Sequence, residues 1–148
     1  MRSLKIPRAV AIMSTLALAL ALALPAFGGG RPLSAELTGE NEVPASGSAA
    51  TGTANFTLNQ GQGEICAEIE SSGYQLGEVV VAGHIHRGEA GAVNPPFVDF
   101  MVTSASHSIC VDVDPAIVKE IRQNPGAFYF NLHSNLTPSG VIRGQLSK

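Results

Sequence analysis

Tryptophan is missing from this chain, and two tyrosines and six phenylalanines are its only aromatics. Charged residues make up only 14% of the 148 positions. Two cysteines are present, Cys66 and Cys110, far apart and with no C-x-x-C spacing, so a thiol redox motif or a cysteine-built zinc site is not indicated. No Gly-x-Ser-x-Gly, phosphate loop or dinucleotide fingerprint occurs, which argues against the common hydrolase and nucleotide-dependent classes. What the chain has in quantity is glycine and proline, 16 and 9 residues, a composition that suits a turn-rich β protein better than a helical bundle.

The one long hydrophobic run lies at the start. Arg2, Lys5 and Arg8 precede an almost unbroken apolar segment over 9–24, and Pro25-Ala26-Phe27-Gly28 supplies small residues for cleavage after Gly28, or alternatively after Ala26. This is the pattern of a secretory signal peptide over 1–28, with an uncleaved anchor as the alternative. Residues 29–32 then form a linker and 33–148 one domain. Without 1–28, six basic residues face twelve acidic ones, a net charge of −6. That balance excludes nucleic acid and anionic membrane surfaces as expected partners. A secreted or periplasmic location would be oxidising, where two cysteines most simply form one disulfide; paired metal ligands or free thiols are the alternatives.

Alternation of apolar and polar residues predicts strands over 33–38, 53–59, 64–70, 78–86, 97–102, 107–113, 127–133 and 141–146. Ala54, Phe56 and Leu58 share one face, as do Ile65, Ala67 and Ile69, then Ile109, Val111 and Val113, then Phe128, Phe130 and Leu132. Cys66 and Cys110 both fall in the polar phase. Asp114 as N-cap and Pro115 at the first position predict a short helix near 115–123, stopped by Asn124-Pro125-Gly126. About eight short strands with frequent turns make the expected fold all-β: a Greek-key β-sandwich of immunoglobulin-like or superoxide-dismutase-like type.

The chemistry concentrates at Gly83-His84-Ile85-His86-Arg87-Gly88. On a strand, His84 and His86 point to the same side, roughly 6.6 Å apart along the strand. His133 stands in the polar phase of a later strand. If those strands meet, three imidazoles converge, a donor set suited to copper or zinc, with Glu42 as a fourth ligand or an acceptor behind a ring N–H. The competing reading is that His84 and His86 bond loop carbonyls or carboxylates and shape the following loop. Arg143 is expected to pair with Glu42 or Glu89, or to hold an anionic ligand. His107 and Tyr129 read as a surface residue and a packing residue.

Four ordered motifs carry a resemblance: Leu37 to Pro44 (Leu-Thr-Gly-Glu-Asn-Glu-Val-Pro), the His84/His86 segment, Asn124-Pro125 leading to Phe128-Tyr129-Phe130-Asn131-Leu132-His133, and Gly140 to Leu146. Together they resemble the chordin-type (CHRD) domain from about Leu33 to Leu146. The resemblance implies an exported, all-β module that binds extracellular or envelope protein partners or serves a structural role, rather than a conventional enzyme. The His-x-His strand end is also locally similar to copper-zinc superoxide dismutase. That enzyme's paired metal site needs more histidines than the four in this chain, so at most a mononuclear copper or zinc site, with redox activity as one of its uses, is the alternative.

Overall fold

A computed structural model describes residues 29–148; the predicted signal peptide, 1–28, lies outside the described residues. Eight strands form one antiparallel sheet: β1 (Arg31–Thr38), β2 (Thr51–Asn59), β3 (Glu64–Ser72), β4 (Val80–Arg87), β5 (Pro96–Asp99), β6 (Ser106–Asp112), β7 (Phe128–Ser134) and β8 (Ile142–Gln145). The spatial order is β5-β4-β7-β8-β1-β2-β3-β6, a strongly curved, nearly barrel-shaped sheet consistent with a β-sandwich. Helix α1 (Pro115–Gln123) is the only α-helix among the described residues. Asp114 caps it, its carboxylate accepting from the Ala116 N–H at 2.8 Å.

The concave face carries the core. Ala54, Phe56 and Leu58 of β2, Ile65, Ala67 and Ile69 of β3, and Phe128, Phe130 and Leu132 of β7 are all buried there, in the phase the alternation predicts. Phe56, Phe100 and Phe130 meet with ring centroids 5.3 to 5.9 Å apart, so three of the few aromatics form the centre. Gly83 sits beneath them for a packing reason. A Cβ there would lie 2.8 Å from a Val102 methyl and 2.9 Å from a Leu132 methyl.

The strand predicted over 97–102 ends at Asp99. Met101 takes a φ of +47°, which turns the chain, while Phe100 and Val102 remain buried in the core. Cys66 and Cys110 are direct partners in the β3–β6 ladder and form a disulfide. Their shared polar phase on adjacent strands brings the two thiols together on the convex face.

Candidate functional site

The site lies on the convex face of the β5-β4-β7-β8 half. Strand register assembles it in transverse rows. Asp99, His84, Asn131, Arg143 and Thr38 are successive neighbours across β5, β4, β7, β8 and β1. The adjoining rows bring His86 beside Tyr129 and Gln145, and Ala82 beside His133. The ladder is irregular on either side of His84, between Val80 and Ala82 toward β7 and between Ile85 and His86 toward β5. Such bulges re-aim side chains and are common near functional sites.

The three histidines converge. Ring centroids are 4.9 Å apart for His84–His133, 5.6 Å for His84–His86 and 6.4 Å for His86–His133. One ring nitrogen from each lies within 4.8 Å of the other two. His133 Nδ1 donates to the Pro138 carbonyl at 2.9 Å, which leaves Nε2 with its lone pair; that nitrogen is buried and unpartnered. His84 Nδ1 is likewise buried without a partner, and its Nε2 is 3.8 Å from an Asp99 oxygen. Burial first, then the neighbouring His133, lowers the His84 pKa; burial is also the main cause that lowers His133. Both rings are therefore held toward the neutral form. His86 is buried: Nδ1 bonds the Asn94 carbonyl at 2.8 Å, Nε2 lies 2.9 Å from Asn131 Oδ1, and the ring stacks on Tyr129 at 4.7 Å.

Two loops roof this face, and Arg143 fastens both. Its Nε donates to the Asn41 carbonyl at 2.6 Å and its Nη1 to the Ala92 carbonyl at 2.9 Å, while the guanidinium lies 4.3 Å from the Tyr129 ring centre. Asn41 returns a bond to the Arg143 carbonyl at 3.2 Å. Gln145 donates to the carbonyls of Gly88, Gly126 and Phe128. Glu42, on the first loop, is buried, and desolvation pushes its carboxyl up to about 7 against the opposing pull of Arg143; its Oε1 has no hydrogen-bond partner. Gly140 makes room for it: a Cβ there would sit 2.6 Å from Glu42 Oε1, and its φ is +132°.

The structure thus brings His84, His86, His133, Glu42 and Arg143 into one region. Glu89 is not part of it. That side chain is exposed, and the Arg143 guanidinium goes to loop carbonyls rather than forming an ion pair with Glu89. His107 lies on β6, away from the cluster, where Ser104 approaches its Nδ1 at 3.2 Å. Sequence reasoning passed over Asn131, Asn94 and Asp99. Asn131 and Asp99 do carry a signal, the same outward phase as the histidines. The Asn94 contact depends on the path of a loop and leaves no local trace. A surface hollow of about 840 Å³, lined by Arg31, Gln60, Arg122 and Lys148 among others, contains none of these groups.

Fold and site define an all-β, disulfide-stapled domain with a roofed polar face on one half of its sheet. The CHRD domain family matches over residues 33–146, and the chain belongs to that family. Comparison with curated proteins and with solved structures gives no match.

Proposed function

We propose that this chain is an exported binding module that holds an extracellular or envelope protein through the loops around the histidine face. Membership of the CHRD family and a disulfide suited to an oxidising compartment support this reading. No helix among the described residues is long and apolar enough to cross a membrane. The observation that carries the proposal is where apolar surface is left exposed. The large exposed apolar side chains are Val43, Leu76, Val79, Val81, Val93, Met101 and Leu136. All stand on β4 or in connections, and none is on β1, β2, β3, β6 or α1. Val43 and Val93 sit on the two roof loops themselves. They follow the Asn41 and Ala92 carbonyls that Arg143 holds, so a partner seated on the roof loops would cover both.

The test is photo-cross-linking in the producing cell, with a cross-linking residue at Val93 or Leu136 in the full chain and a control at Asn55 on β2. Capture of one defined species from Val93 and Leu136, and none from Asn55, is the expected result. Equal capture from all three positions overturns the assignment. Fractionation of the same cells should place the chain outside the cytoplasm with 1–28 removed; retention in the cytoplasm overturns export.

A further inference from the structure

We propose that His84, His86 and His133 bind a single borderline transition-metal ion, Cu2+ or Zn2+. This deepens the reading above, since the ion would lie under the same loops. The first argument is convergence: three ring nitrogens within 4.8 Å of one another, two buried nitrogens of this cluster being without any partner. A buried, unpartnered polar atom is costly, and two on facing rings need a reason. The second argument is how each ring is held from behind. His86 Nδ1 bonds the Asn94 carbonyl, His133 Nδ1 bonds the Pro138 carbonyl, and His84 Nε2 faces the Asp99 carboxylate. Metal-binding histidines characteristically give their second N–H to a carbonyl or carboxylate, which fixes the tautomer and aims the other nitrogen. Two of the three rings have that oxygen at hydrogen-bonding distance, and His84 has a carboxylate oxygen 3.8 Å from Nε2. Neutral imidazole is a donor that Cu2+ and Zn2+ accept, whereas Mg2+ and Ca2+ prefer oxygen.

One contact has to give way. With Nδ1–H given to the Asn94 carbonyl, a neutral His86 ring has its lone pair at Nε2, 2.9 Å from Asn131 Oδ1, so an ion entering there displaces that amide while Asn94 keeps its hold on Nδ1.

The experiment titrates the full chain, made without a histidine tag in an oxidising compartment, with Cu2+ alone and with Zn2+ alone. One ion per chain is expected for at least one of the two metals. His84→Ala and His133→Ala should each weaken it at least as much as loss of an outer partner does, about 10- to 100-fold. His107→Ala should bind as the parent does. Because a site variant can misfold, ring-15N spectra of the unaltered chain supply a second readout. Resonances of His84, His86 and His133 should shift with metal while those of His107 stay in place. No binding tighter than micromolar, equal binding by the His133→Ala chain, or shifts confined to His107 each overturn the proposal. If metal binding fails while Val93 and Leu136 still cross-link one species, the module reading stands and the histidines are loop architecture.

Discussion

The two halves of the sheet share one core but treat their convex faces in opposite ways. On β1, β2, β3 and β6 that face is open. Thr51, Asn55 and Thr57 of β2 and Glu68 and Glu70 of β3 stand in solvent, and the β1–β2 and β2–β3 ladders run without a register shift. On β4, β7 and β8 the same face is roofed, with His86, Asn131 and Arg143 buried and the ladder shifted on either side of His84. Regular pairing satisfies the backbone by itself, so outward side chains on the open half are free to be merely hydrophilic. A shifted ladder under loops leaves carbonyls that side chains must satisfy, and polar residues there become structural. The edges differ in the same sense. Outer strand β6 is tied by the Cys66–Cys110 bond, whereas β5, only four residues long, relies on its neighbours and the roof.

The largest expected effect lies on the open half. Cys66→Ser/Cys110→Ser releases a loop with a sequence separation of 44, worth up to about 4 kcal/mol in the chain-entropy account. Denaturant unfolding should show that loss, with β6 amides losing exchange protection before those of β7. Loss of protection in β7 first would mean the disulfide supports the roofed half instead. Next comes Arg143→Met, which leaves the Asn41 and Ala92 carbonyls without their donor. The expected cost is about 2 kcal/mol, the low end of roughly 1–3 for each orphaned carbonyl, because both contacts are only part-buried. Amides of loops 39–46 and 88–95 should exchange faster while β2 and β3 keep their protection. A uniform loss across the sheet breaks the comparison.

The third effect depends on pH. Glu42 has its pKa raised from 4.5 to about 7 by burial, so the folded state binds the proton more tightly than the unfolded chain. Its contribution is fully present below pH 4.5 and is lost as the pH rises through 7. Glu42→Gln should therefore match the parent near pH 4 and exceed it at pH 8 by about 1–3 kcal/mol. His84 and His133, shifted downward, act with the opposite sign, destabilising the fold as the pH drops below the ordinary imidazole value of 6.5. The difference between variant and parent melting curves, rather than the parent's own profile, is thus the readout. A difference that does not change with pH removes Glu42 from the buried network.

Legibility in the sequence divides along the same line. On the open half, period-two alternation reported strands over 53–59 and 64–70, observed as Thr51–Asn59 and Glu64–Ser72, and the common phase of Cys66 and Cys110 reported the disulfide. Helix α1 was legible from Asp114 and Pro115. On the roofed half the phase of His84, His86 and His133 was visible, because facing is a local property of a strand. What Arg143 does was not visible. Its partners lie 102 and 51 residues away, and a guanidinium bonding two carbonyls looks in sequence like one seeking a carboxylate. The early end of β5 was hidden for a related reason: Phe100 and Val102 continue the apolar pattern after pairing has stopped, because the core rather than the ladder holds them.

The smallest effect isolates the comparison best, because it uses one residue type at equivalent places. Asn55 and Asn131 are both mid-strand and both outward, on β2 and β7. Asn55 is exposed, flanked by Ser34 and Glu68. Asn131 is buried, with its Oδ1 2.9 Å from His86 Nε2. Replacing Asn131 by Ala removes a buried amide in contact with the His86 ring, at a cost of about 1–3 kcal/mol. Replacing Asn55 by Ala removes a side chain that water solvates equally well before and after folding, and should change stability by less than about 0.5 kcal/mol. Chemical denaturation of the two single variants and the double variant measures both costs. Additivity is expected, since the residues share no partner. An Asn55 cost approaching that of Asn131 would show that the open face also carries an organised polar network, and the division between the halves would fall.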